Sequence, residues 1–197
     1  MKTNPEGSWA QEEIQIDHGV NSGELVISGI YVRLFIANPG WVLRKPREFL
    51  TDLLENAINT MKSQNPDLQR LEEVTTALVK LLSAQPALAE IVPATGYISR
   101  IFSVMGGLDE NGIKSAMLII AELSRSSVCV ENMATCPNSI LPWKRGLSLR
   151  KDLIGVSCDA LSRIFSGHHD SLVRQALDCK LVDDLLGKET SSKMIFH

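Results

Sequence analysis

The chain has 197 residues, 44% hydrophobic and 22% charged, which suits one packed domain and excludes wholesale disorder. Its net charge is −3, which argues against a protein held to nucleic acid by a basic surface, since phosphate contacts require many Lys and Arg. In chain order, residues 1–24 are polar, carry Gly7, Gly19 and Gly23, and read as a flexible N-terminal segment. Leu25 to Ile36 is apolar and is compatible with a strand or with a short buried helix, because periodicity cannot separate the two. Asn38, Pro39 and Gly40 break it.

Pro46 fits the first turn of a helix, where its missing N–H costs nothing. Phe49, Leu50, Leu53, Leu54, Ala57, Ile58 and Met61 then recur at three and four, an amphipathic stripe. Asn65 as cap and Pro66 at the first helical position predict another start, and Leu68, Leu71, Val74, Thr75, Leu78, Leu81 and Leu82 carry that stripe towards Pro86. Further helices are expected over 109–125, 150–165 and from Ser171 to about Cys179. Gly106, Gly107 and Gly167 stand where helices should stop. No comparable strand pattern follows residue 40.

The sequence matches itself at a shift of 42 residues without gaps. On the long helices Val74, Ala116 and Cys158 align, as do Ala77, Ile119 and Leu161, and Leu81, Leu123 and Phe165. Between them align Leu88, Val130 and Leu172; Val92, Ala134 and Ala176; Ile98, Ile140 and Val182; and Ile101, Trp143 and Leu185. A period near this value, with two short helices and a long third one, predicts an all-α armadillo or HEAT-like solenoid, in which a unit buries its apolar stripe only against its neighbours. The expected division is a flexible segment 1–24, a repeat region 25–187 with an irregular N-terminal arm, and a non-repeat tail 188–197. Pro137, Pro142 and Gly146 predict a short or distorted second helix in the middle unit. After Gly187 the long third helix of the last unit is missing, so that unit is expected to end on an open apolar face with a weak tendency to self-associate.

The chemistry-bearing residues do not assemble into a motif. Cys129, Cys136, Cys158 and Cys179 match no zinc spacing and read as buried reduced thiols among apolar residues. His168, His169 and Asp170 read as a solvated loop with Asp170 capping the next helix. The serine pairs 126–127 and 191–192 lack a nucleophile-elbow context, and Gly106-Gly107 begins no phosphate loop. No catalytic, metal or cofactor residue is assigned, and no stretch is long and apolar enough for a bilayer span. The chain is therefore expected to be non-enzymatic, and soluble or peripheral on a membrane. The densest basic cluster is Trp41, Arg44, Lys45 and Arg47, a candidate contact for a partner or an anionic lipid.

Two stretches, ISGIYVRLFIANPGWVLRKPREFLTDLLE (27–55) and RKDLIGVSCDALSRIFSGHHDSLVRQALDCKLVDDLL (150–186), resemble the C-terminal armadillo-like region of the large endosomal J-domain co-chaperones of receptor-mediated endocytosis, a DnaJ subfamily C type. SAMLIIAELSRSSVCVENMA (115–134) fits the same region, and the string RLFIANPGWVLRKPREFL is specific rather than a repeat consensus. The resemblance implies a cytoplasmic scaffold, peripheral on early endosomes. It acts in retromer-linked sorting and clathrin dynamics with a sorting nexin and the endosomal actin-nucleating complex. The heat-shock chaperone is recruited in that family through a J domain, whose His-Pro-Asp loop does not occur in this sequence. A generic cytosolic armadillo adaptor is the alternative, and a helical enzyme subunit a distant third.

Overall fold

The computed structural model describes residues 29–40, 43–149 and 151–183. The segment 1–24, the tail 188–197, Trp41 and Leu185 lie outside the described residues. Among those described, every regular element is helical: α1 (Gly29–Ala37), α2 (Pro46–Lys62), α3 (Leu68–Ala84), α4 (Val92–Thr95), α5 (Tyr97–Met105), α6 (Glu110–Leu123), α7 (Ser127–Thr135), α8 (Leu141–Leu149), α9 (Ile154–Ser166) and α10 (Asp170–Asp178). Two short 3₁₀ turns, Pro86–Ile91 and Lys151–Leu153, precede α4 and α9. The apolar stretch before Asn38 is thus helical from Gly29 onwards, with Val32 and Phe35 buried. No single described helix is long and apolar enough to cross a membrane.

Local chemistry explains the boundaries. Asp67 caps α3 by accepting from the Arg70 N–H at 3.0 Å, so cap and first helical residue lie two positions beyond the predicted Asn65 and Pro66. Asp109 caps α6 in the same way through the Gly112 N–H at 2.8 Å. These two caps are 42 residues apart, and the next position in that register is Lys151, which cannot accept. Accordingly α9 has no side-chain cap and begins only after a 3₁₀ turn. Asp170 is the first residue of α10 rather than its cap; His169 holds that position without a side-chain bond. Gly106 and Gly167 do end α5 and α9, but both remain right-handed, and the left-handed residue after α9 is His168. Gly96, at φ 73°, is the glycine whose turn requires its freedom, between α4 and α5.

The packing is serial. α1 lies on α3, α3 on α6 and α6 on α9, while α2, α5 and α8 flank these long helices. Ten of the fourteen residues of α6 are buried, so this helix is covered on nearly every side. Two of the seven aligned apolar columns are interior throughout: Ala77, Ile119 and Leu161, and Leu88, Val130 and Leu172, are all buried. Val32, outside the predicted columns, stands 42 residues before Val74 and is as completely buried as Val74 and Ala116. Fully burying a side chain of this size contributes about 1.5–3 kcal/mol. The second helix of the middle unit is not distorted. α8 has nine residues, as many as α5; Pro142 falls in its first turn, and Gly146 is buried.

One expectation about the long third helix of the middle unit fails. Cys158, the partner of Val74 and Ala116 in register, is exposed, so it is not a buried thiol. Among the described residues, the side of α9 that corresponds to the buried face of α6 is mostly polar. It carries Gly155, Asp159, Ser162 and Ser166, all exposed, where the same register in α6 has the buried Ile113, Met117, Ile120 and Ser124. Exposed large apolar side chains at this end are Val156 on α9 and, in the last unit, Val173, Leu177 and Val182, in keeping with the open apolar face expected there.

Candidate interaction surface

The predicted basic cluster sits at the start of α2. Arg44, Lys45 and Arg47 are exposed, and Trp41 lies outside the described residues. Lys45 is the residue preceding the helix; it makes no side-chain cap and pairs with Glu48 at 2.9 Å. Glu48 is the acidic residue of the first turn and offsets part of the repulsion between these cations and the helix dipole. The turn is anchored by Phe49, whose ring meets Tyr31 and Phe35 edge-on, each at 5.2 Å between centroids. α1 therefore lies against the beginning of α2. On α1, Arg33 is exposed and pairs with Glu73 of α3 at 3.1 Å.

A groove of about 450 Å³ runs between α5 and α8, lined by Phe102, Ser103, Gly106, Pro137, Leu141 and Pro142. Arg145 borders it, but its guanidinium is spent on the end of α5. Nη1 donates to the Met105 and Gly106 carbonyls and Nη2 to the Leu108 carbonyl at 2.7 Å. What remains in the groove is chiefly apolar wall.

Polar side chains tie successive layers together. Arg100 of α5 clasps Glu55 of α2 with both guanidinium nitrogens, at 2.6 and 2.8 Å. That hydrogen-bonded pair holds the Glu55 carboxyl down at about 2, against the opposing effect of partial burial. Lys80 donates to the Ile36 carbonyl, Ser83 to Glu122, and Arg163 to Ser124 and the Ala121 carbonyl. Lys144 reaches the Cys179 carbonyl, and the Gln175 amide bridges Cys136, Ser139 and Ile140. These ties escaped the sequence reading, which looked for catalytic groupings. Their signal was a polar residue roughly one period away from a helix end.

The reactive residue types stay apart. Cys129 is buried, with its thiol against the Ala89 carbonyl, and burial pushes it up to about 11. Cys136 is buried and raised for the same reason. Among the described residues, no three of His, Cys, Asp and Glu are grouped so as to hold a metal ion.

The chain is 32% identical over 108 residues, 51% of its length, to DnaJ homolog subfamily C GRV2 of Arabidopsis thaliana. It spans 4% of that protein's length. No family model matches the chain, and no solved structure does. The likeness supports a relationship to a DnaJ C-type protein.

Proposed function

We propose that this chain is a non-catalytic, armadillo-like scaffold segment of an endosomal co-chaperone of the DnaJ C type. The observation that carries the reading is the 32% identity to the Arabidopsis DnaJ homologue. The serial packing of α1, α3, α6 and α9, with buried residues recurring every 42 positions, supports the solenoid part of it. Such a stack presents an extended surface of many weak contacts rather than one pocket. The cellular role rests on the resemblance of 27–55 and 150–186. By it, the segment works at the cytoplasmic face of early endosomes, in retromer-linked sorting and clathrin dynamics, and docks a sorting nexin or components of the actin-nucleating complex. Chaperone recruitment belongs to a J domain, and this sequence lacks the His-Pro-Asp loop that would stimulate ATP hydrolysis.

The test is affinity capture from endosomal and cytosolic extracts with the full chain as bait and mass spectrometry as readout. Enrichment of sorting-nexin or actin-nucleating components is expected. A folded, helical bait that enriches none of them overturns the endosomal role, and one that enriches a different complex favours a generic adaptor.

A further inference from the structure

We infer that the α1–α2 end of the molecule docks on an anionic lipid surface. This deepens the scaffold reading, resting on its placement at a membrane and naming the surface that this end meets. Three observations converge there. First, α1 leaves aliphatic side chains in solvent: Ile30 is 70% exposed and Leu34 36%, one helical turn apart. Second, cations surround them. Arg33 lies on the same helix, exposed, and Arg44, Lys45 and Arg47 are exposed at the start of α2. Third, the Phe49 ring packs on Tyr31 and Phe35, the residues that follow Ile30 and Leu34. Because Phe49 comes two residues after Arg47, that contact holds the aliphatic pair and the basic cluster at one end of the molecule.

The charge pattern points to an anionic surface rather than to solvation alone. Arg33 pairs with Glu73 and Lys45 with Glu48, and the stretch 43–47 carries Arg44, Lys45 and Arg47 with no acid among them. The chain as a whole has a net charge of −3, so this end departs in sign from the rest. Arg44, Lys45 and Arg47 also flank the positive end of the α2 dipole, where cations cost folding stability and an external anion recovers it. Exposed aliphatics beside basic side chains are the composition of an interfacial contact: the cations find head groups while the aliphatic pair enters the acyl boundary. The α9 end differs in charge, since its exposed residues include Asp159 together with Ser162, Ser166 and Val156.

The test is co-sedimentation of the full chain with phosphatidylcholine vesicles with and without phosphatidylserine, at low and high salt. Binding is expected only to the anionic vesicles and is lost at high salt, because surface charges are screened beyond about 3 Å at 1 M ionic strength. Arg44→Ala/Lys45→Ala/Arg47→Ala should weaken it on the order of a hundredfold, since each cation near an anionic leaflet contributes about fivefold. Ile30→Ser/Leu34→Ser should weaken it with the charge intact, and Lys151→Ala, at the α9 end, should leave it unchanged. All substituted side chains are exposed or borderline, and helicity by circular dichroism verifies folding. Competition with inorganic phosphate separates a head group bound in a bilayer from a free phosphate: it should leave vesicle binding in place at matched ionic strength. Equal sedimentation with neutral vesicles, full binding by either multiple variant, or displacement by phosphate overturns the inference. An acidic protein captured through the cluster, with no vesicle binding, does so too. Failure here leaves endosomal partner capture standing, and failure of capture leaves vesicle binding standing.

Discussion

Gly146→Ala should destabilise the protein, although the same exchange in a helix interior ordinarily stabilises. Gly146 lies in α8 where it crosses α6, and a Cβ there would meet the Met117 Sδ at 2.0 Å, its Cε at 2.8 Å and the Ile113 Cγ2 at 3.3 Å. Met117 is itself only 1% exposed, so its side chain cannot retreat into solvent. Forcing one carbon into such a contact costs about 1–3 kcal/mol. The gain in helix propensity offsets up to about 1 kcal/mol. The net expectation is a loss of about 1–2 kcal/mol, or a Tm lower by about 2–8 °C at this chain length. Gly155→Ala is the internal control. It is also helical, nothing lies within 4 Å of its Cβ position, and it should gain up to about 0.5 kcal/mol. Urea unfolding followed by far-UV circular dichroism measures both. In a Met117→Ala background, the cost of Gly146→Ala should shrink by about 1 kcal/mol, the coupling expected of side chains in contact. If Gly146→Ala proves as stable as Gly155→Ala, the close crossing of α6 and α8 is wrong.

Four further outcomes are expected. The Glu55–Arg100 pair is more than a third exposed on both sides, so solvent screening limits it to about 0.2–1 kcal/mol. Because Glu55 is lowered from 4.5 to about 2, that stabilisation is complete above the unfolded value and is lost as pH falls towards 2. Glu55→Gln should therefore fall furthest below the parent protein above about pH 4.5, with the gap closing as pH falls towards 2, and parallel pH profiles would contradict this. A maleimide should modify the exposed Cys158 first and the buried Cys129 only on unfolding; equal rates at the two would be inconsistent with the packing. Trp143 is fully buried with its Nε1 unpartnered, so Trp143→Phe sacrifices no hydrogen bond and should cost far less than Trp143→Ala, which should lose about 3–5 kcal/mol. Asp159→Met with Ser162→Ile would give α9 the side chains that α6 buries at the same register. Light scattering across a concentration series should show new self-association, and an unchanged mass would mean that another element covers α9.

Much of this architecture is legible in the sequence, because helix stripes and their recurrence are local signals. The stripe from Phe49 to Met61 became the buried face of α2, and the columns through Ala77 and Leu88 are interior in every layer described. What failed depended on neighbours. α1 was ambiguous because twelve apolar residues suit strand or helix alike, and only packing on α3 and Phe49 decides. Pro142 and Gly146 read as disruptive, whereas one occupies a first turn and the other a crossing too tight for a side chain. Cys158 continued an apolar column, yet among the described residues no long helix stacks on α9 as α9 does on α6, and it is exposed. The basic cluster was visible as text. Its aliphatic neighbours Ile30 and Leu34 were not, since exposure on α1 follows from the side that faces α3.

The polar ties show how such a chain holds together. Lys80 to Ile36, Ser83 to Glu122, Arg100 to Glu55, Arg145 to the end of α5 and Arg163 to α6 each join residues 37–45 positions apart. None of these ties reaches beyond the adjacent helical layer. Among the described residues, α1 and α9 each pack on only one other helix of the series α1, α3, α6 and α9, and the chemistry of the other side differs between them. α9 carries Asp159, Ser162 and Ser166 there, which water satisfies. α1 leaves Ile30 and Leu34 uncovered and gathers cations around them, a combination that water satisfies poorly. The two ends are therefore inequivalent, and the α1 end is where an external surface gains most by binding.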